Sequence, residues 1–220
     1  MTTTALFGSF SRAMTANRFY LLLASSVLFI IVEPMVAENL FLAATLTSIL
    51  LISATGCLKL QKAGFVASQW FGIMVLVVGW AGVFSQNVPV QVTIFITRVV
   101  FLSFVTGALI YQIAISKEVT GAVIVGAIDG YLLLGIMGAV AFGFAEHLSP
   151  GSIRGPAGHS TLSDSLYLSF ITLSTAGYGD FTPATHAARM ISVFLAVSGP
   201  LYLAILIALL VGKLSSGERK

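Results

Sequence analysis

Thr175-Ala176-Gly177-Tyr178-Gly179-Asp180 stands between two long apolar segments and directly after a short helical run. Taken alone, the six residues fit a tight Gly-Tyr-Gly turn between two membrane helices. The residues before them point to something else. Pro150-Gly151 and Gly155-Pro156-Ala157-Gly158 mark a loop. Thr161 or Ser163 is placed to cap a helix running to about Ser174, carrying Leu166, Tyr167, Phe170 and Leu173. This segment is too polar to span a bilayer and too patterned to be a linker. A re-entrant helix and loop is tolerated at membrane depth only where protein or water surrounds it, which points to a pore.

The rest of the chain sets that loop in lipid. Of 220 residues, 57% are hydrophobic and 9% charged, a balance no soluble domain shows. Six membrane helices are predicted, at about 17–33, 38–58, 64–84, 90–115, 119–145 and 187–212. The first is short for the hydrocarbon; the other five are each long enough to cross about 30 Å. Glu33-Pro34 ends the first apolar run, and no small-residue cleavage site follows it, so an uncleaved span is expected rather than a signal peptide. With the N-terminus in the cytoplasm, Arg12, Arg18, Lys59, Lys62, Lys117, Lys213, Arg219 and Lys220 lie inside, and only Arg154 and Arg189 outside. That asymmetry satisfies the positive-inside rule, puts both termini in the cytoplasm and faces the 175–180 loop outward. Cys57 has no partner for an intrachain disulfide and reads as packing.

The run Tyr167 to Pro183, YLSFITLSTAGYGDFTP, resembles the pore loop of tetrameric potassium channels. VSGPLYLAILIALLVGKL, from Val197 to Leu214, is similar to their inner helix, and Gly130-Tyr131-Leu132-Leu133-Leu134-Gly135 to their outer helix. The first four spans resemble the peripheral part of six-span channels in number and topology only. The resemblance implies an all-α integral membrane protein: six helices plus a re-entrant pore helix and filter loop, assembled as a fourfold homotetramer. It implies a peripheral domain over 1–116 and a pore domain over 117–214, followed by a short cytoplasmic tail, 215–220. Within the pore domain it implies an outer helix 119–145, pore helix 162–174, filter 175–180 and inner helix 187–212. Thr175, Ala176, Gly177 and Tyr178 would offer backbone carbonyls to K+, and Thr175 its hydroxyl as well. Gly179 and Asp180 would form the outer entry, with Tyr167 and Ser174 as filter support. A Tyr167–Asp180 hydrogen bond is expected behind the filter. The chemistry matches these residue types. A dehydrated K+ needs a ring of oxygens, and aligned carbonyls require positive φ, which glycine alone adopts cheaply; hence Gly177 and Gly179. Tyr178 would turn its ring from the pore and brace the loop.

The implied function is passive, potassium-selective conduction in the plasma membrane, with no cofactor beyond K+ as permeant ion. Lipid and further copies of the chain are the implied partners. No enzyme constellation is present: no nucleophile elbow, no zinc-binding histidine pair, no paired membrane aspartates. Low hydrophilic bulk excludes nucleic-acid recognition, and the few residues after Lys213 predict no soluble ligand-binding domain in this sequence. Ala176 departs from the valine or isoleucine usual in the family, so a weakly selective cation channel stays open as an alternative. A non-conducting regulatory subunit is a further one. A voltage sensor needs several arginines at every third position of the fourth span. Arg98 is the one basic residue there, so conventional voltage gating is not expected. Asp129 lies deeper than Arg98 by about 12 Å, and no direct pair between them is expected. Gly199-Pro200 reads as a hinge or a fixed bend in the inner helix, and Leu203, Ile207 and Val211 as an apolar gate or simple packing. His147, His159 and His186 fall on the outer side without metal-ligand spacing. Gly126-x-x-x-Gly130 reads as a helix-packing face.

Overall fold

Lipid offers no partner for backbone N–H and C=O groups, so an apolar chain of this kind must satisfy them within helices. The computed structural model describes residues 17–36, 39–58, 62–85, 87–116, 119–156 and 162–217. In chain order the helices are α1 (Arg18–Val36), α2 (Leu40–Gly56), α3 (Lys62–Phe84), α4 (Val88–Ile115), α5 (Gly121–Leu148), α6 (Leu162–Leu173) and α7 (His186–Gly217). A two-residue strand, β1 (Ile153–Arg154), pairs antiparallel with β2 (Thr182–Pro183) across the loops that flank α6. The protein is a multi-pass helical membrane protein: α1, α3, α4, α5 and α7 are each long and apolar enough to cross a bilayer.

The second expected span is where the helices depart from the sequence reading. The second span, predicted over 38–58, forms a helix of 17 residues, about 25 Å long at 1.5 Å per residue. Asn39 sets its start by accepting hydrogen bonds from the Phe41 and Leu42 amides. The first span is instead the longer one: α1 does not end at Glu33-Pro34 but continues through Pro34 to Val36. A proline this close to a C-terminus removes one hydrogen bond and leaves the rest of the helix intact. Polar side chains inside the spans return to their own helix. Thr47 donates to the Ala43 carbonyl at 2.8 Å, Ser48 to Ala44 at 2.7 Å and Thr93 to Pro89 at 2.9 Å.

α5 is the hub of the molecule. It packs against α1, α4, α6 and α7, and its glycines admit what those helices carry. The Phe19 ring of α1 lies over Gly126, and Phe170 of α6 fills the space at Gly135. Tyr202 of α7 sits over Gly130 and donates to the Ala127 carbonyl at 2.6 Å. The predicted Gly126–Gly130 packing face therefore serves two different helices. α7 is the opposite case. Met190, Val193, Phe194, Val197 and Leu201 are all exposed, an apolar surface that a single chain leaves to lipid or to other copies.

At the far end of α7, Lys213 ties two parts of the fold together. Its ammonium donates to the Ser116 carbonyl at 2.7 Å, to the Ser116 hydroxyl at 2.9 Å and to the Ile113 carbonyl. These carbonyls close the C-terminus of α4, where a cation is favoured by the helix dipole. Lys213→Met is expected to lower stability by about 1.5–3 kcal/mol, the usual worth of hydrogen bonds to a charged group. Thermal unfolding in detergent measures it, and an unchanged midpoint would make the clamp energetically idle.

Candidate functional site

The 174–180 segment hangs from the C-terminus of α6, and α6 is fixed from two sides. Ser169 donates to the Gly135 carbonyl of α5 at 2.6 Å and is fully buried. On the other side, the Leu173 carbonyl meets Gly199 of α7 so closely that a Cβ there would sit 2.0 Å from the oxygen. The start of the helix carries Ser163 inside its first turn rather than as a cap, while Thr161 lies outside the described residues. Past Leu173 the chain folds back on its own helix. Ser174 N–H donates to Phe170 O at 2.9 Å, Thr175 N–H to Thr172 O at 3.0 Å and Gly177 N–H to Ile171 O at 3.1 Å. These bonds satisfy carbonyls that a helix end otherwise leaves open. The Ser174 hydroxyl reaches Ile171 O only at 3.5 Å.

The backbone of the segment alternates. Thr175, Gly177 and Gly179 have φ of +61°, +50° and +82°, while Ala176, Tyr178 and Asp180 stay negative. Alternation of this sign swings successive N–H groups to one side and so presents C=O groups on the other. The hydrogen bonds fix which side is which. All peptide bonds are trans, so each carbonyl opposes the next residue's N–H. Thr175 and Gly177 aim their N–H groups at α6; the Ser174 and Ala176 carbonyls therefore point away from it. Residues 174–180 are all exposed. Positive φ at the glycines was readable in the sequence. At Thr175 it was not, because a β-branched residue strongly avoids this region, at a cost of about 1–3 kcal/mol.

Around the segment stands a frame of short polar contacts. Tyr167 of α6 donates to Asp180 Oδ2 at 2.7 Å and meets the Phe181 ring edge-on at 5.4 Å. Phe181 in turn occupies the space over Gly155. The hydrogen bond to Asp180, ahead of burial, raises the Tyr167 hydroxyl to about 12. A raised phenol keeps its proton below its ordinary value near 10, so the bond is complete at neutral pH and is lost only as pH climbs through about 12. Glu146, a residue without a motif in the sequence, orders the loop before β1. Its carboxylate accepts from the Gly151 amide at 2.7 Å and the Ile153 amide at 2.9 Å, shaping the turn into β1. Ser152 O accepts from Ala184 N–H at 2.8 Å beside β2. The Tyr178 ring is 75% exposed, and its hydroxyl makes no hydrogen bond among the described residues. The expected brace is not made within one chain. Tyr167→Phe removes the link to Asp180; under the conducting role proposed below it is expected to shorten open-channel lifetimes several-fold in single-channel records, and unchanged lifetimes would show that the bond does not hold the segment.

The remaining expected residues fall in three places. Gly199 is buried against α6, and α7 runs helically through Pro200. Leu203, Ile207 and Val211 are 41%, 59% and 54% exposed on α7, open to another chain or to lipid. The helix itself extends to Gly217, past both the predicted end at 212 and the start of the predicted tail. Arg98 and Asp129 do not pair. Arg98 lines a cavity with Glu33 of α1, a residue read from the sequence only as a helix end. Both Asp129 oxygens are buried without a hydrogen-bond partner, since the Tyr202 hydroxyl is spent on Ala127. His159 lies outside the described residues, and among those described no cluster of three or more histidine, cysteine or acidic residues has metal-binding geometry.

Comparison with known proteins concerns this same part of the chain. Residues 131–216, from α5 through the 174–180 segment to α7, match the family described as ion channel. Two curated relatives match over short stretches. Two pore potassium channel c of Oryza sativa subsp. japonica is 43% identical over 51 residues, 23% of this chain and 11% of its own length. A potassium channel protein of Rhodopseudomonas palustris (strain ATCC BAA-98 / CGA009) is 34% identical over 61 residues, 28% of this chain and 15% of its own. The aligned stretches thus span a small fraction of those relatives. No solved structure matches the chain. The helices that cradle the alternating segment are thus the part of the chain that resembles the ion channel family, and the first 130 residues lie outside that match.

Proposed function

We propose that this chain is one subunit of a homotetrameric, potassium-selective channel of the plasma membrane that conducts passively. The observation carrying the reading is the alternating φ of Thr175, Gly177 and Gly179. It turns carbonyls away from α6 in an exposed loop, within the stretch that matches the ion channel family. One chain supplies one wall of such a filter, and a ring of carbonyls around an ion requires further copies. The exposed apolar face of α7 and the unbraced Tyr178 ring are surfaces that neighbouring copies would cover. In this reading Thr175, Ala176, Gly177 and Tyr178 coordinate K+, Gly179 and Asp180 line the outer entry, and Tyr167 and Ser174 support them. Residues 117–214 form the pore domain, and Gly199, Pro200, Leu203, Ile207 and Val211 its hinge and gate. Residues 1–116 form a four-span periphery in which α2 crosses with its ends in the interface, and both termini are cytoplasmic. A single intramembrane arginine, worth at most about 2.3 kcal/mol per 100 mV, leaves this periphery without conventional voltage sensing.

Ala176 favours a second reading, a cation channel of weak discrimination. Its methyl packs less behind the filter than a branched side chain would. The reversal potential of the purified protein in a bilayer, with potassium on one side and sodium on the other, separates the readings. A value near the potassium equilibrium potential is expected. A value near zero with clear unitary steps would support the weakly selective channel. Absence of current at every voltage, from protein shown to be inserted and tetrameric, would support a non-conducting regulatory subunit.

A further inference from the structure

α7 is held unevenly along its length. In its first half Ala188, Leu195 and Gly199 are buried. Tyr202 closes this packed stretch with its hydrogen bond to the Ala127 carbonyl of α5 at 2.6 Å. From Leu203 to Lys213 no side chain is buried. The far end of this stretch is nevertheless fastened. The Lys213 ammonium donates to the Ser116 carbonyl at 2.7 Å, to the Ser116 hydroxyl at 2.9 Å and to the Ile113 carbonyl. An ammonium has three protons, and three acceptors at the end of α4 take them. Tyr202 and Lys213 stand about 16 Å apart along the helix axis at 1.5 Å per residue. At the root of the stretch sits Pro200, which has no N–H to give to the helix, so bending is easiest there. The lower half of α7 is thus a lever, weak at its root and tied at its tip.

We propose that Lys213 is a latch on this lever: bound to the end of α4 it holds the inner ends of the four α7 helices apart, and released it lets them close. The inference rests on the homotetramer and on the gate assigned to Leu203, Ile207 and Val211. Direction follows from where the tie leads. α4 belongs to the same chain's periphery, whereas the exposed apolar face of α7 is left to other copies. Release therefore frees the lower half to bend at Pro200 toward those copies, bringing the apolar gate residues together. Strength agrees with a switch. Hydrogen bonds from a charged donor to neutral acceptors bias an equilibrium by about ten- to hundredfold, enough to favour one position without fixing it. Both acceptor residues lie at the C-terminus of α4, whose dipole adds to the attraction.

Single-channel recording of the purified full-length protein in bilayers tests the latch. Lys213→Met is expected to lower open probability about tenfold, with unitary conductance and reversal potential unchanged. Lys213→Arg, which keeps the charged donor, is expected to retain most of the parental open probability; a residue needed only for packing would show no such rescue. Ser116→Ala leaves both carbonyls in place and is expected to give about a threefold drop, which keeps the test decisive if Lys213→Met does not fold. A second measurement needs no current. Spin labels at Tyr111→Cys and Val211→Cys, both exposed positions, are placed in a Cys57→Ala background and diluted among unlabelled chains in nanodiscs. A narrow distance distribution by pulsed electron resonance is expected in the parent, and a broad one in Lys213→Met. An unchanged distribution would overturn the latch, as would an open probability that stays level or rises in Lys213→Met. Broadening in Lys213→Met from a parent that carries no current would instead sink the conducting role and uphold the hold of Lys213 on α7.

Discussion

Gly199→Ala is expected to force α7 away from α6, because the added methyl has nowhere to go. Its Cβ would lie 2.0 Å from the Leu173 carbonyl oxygen and 3.0 Å from the carbonyl carbon. Both are backbone atoms at the end of α6, so no rotamer change relieves the clash. The helices must separate, and α6 cannot follow freely because Ser169 and Phe170 anchor it to α5 at Gly135. Overpacking of this kind costs about 1–3 kcal/mol per chain. It falls at the point where α7 supports the base of the 174–180 segment. The expected result is a lowered unfolding midpoint and, in the homotetramer proposed above, loss of the assembled species in size-exclusion chromatography. Gly107→Ala is the control. Nothing lies within 4 Å of its added methyl, so this change in a helix interior is expected to be neutral or stabilising by about 0.5–1 kcal/mol. Equal behaviour of the two variants would show that the contact between Gly199 and α6 does not carry the structure.

Gly179→Ala is expected to give the opposite pattern: intact protein without selective current. Here the space is open, with nothing within 4 Å of the added methyl, and the backbone is the obstacle. At φ +82° an L-residue is strained by about 1–2 kcal/mol. The segment relieves that strain by abandoning positive φ, which turns a carbonyl away from its neighbours. Because residues 174–180 are exposed and Tyr178 is unbraced within the chain, the fold has little else to hold the peptide in place. Unfolding midpoint and assembly are expected to match the parent, while potassium flux into liposomes falls to background. Parent-level, potassium-selective flux from Gly179→Ala would overturn the role given to this backbone.

The two glycines show how far the sequence carried the reading. The need for positive φ at Gly177 and Gly179 follows from residue type, since glycine at alternate positions in a polar loop has few other uses. Gly199 was read for its flexibility next to Pro200. Its contact with Leu173 depends on where α6 lies against α7, and those residues are 26 positions apart in the chain. Glu33 was missed in the same way. It looked like the end of a helix until α1 continued to Val36 and set it, buried, on the wall shared with Arg98. Glu146 and the β1–β2 pair could not be foreseen either, because strands of two residues carry no alternation to detect.

What the amino-acid sequence determined by itself is everything that local physics dictates. Apolar runs of membrane length must become helices in lipid, a polar segment between two of them must find protein or water, and glycines mark backbone that other residues avoid. Tertiary structure alone decided which partners those elements meet. It placed Thr175 at positive φ, because the end of α6 takes the amides of Ser174, Thr175 and Gly177. It made α5 the hub, because its glycines admit side chains from three other helices. It put Arg98 beside Glu33 rather than Asp129. Each of these depends on close packing between residues far apart in the chain, where a few tenths of an ångström separate contact from clash and no periodic pattern records the outcome.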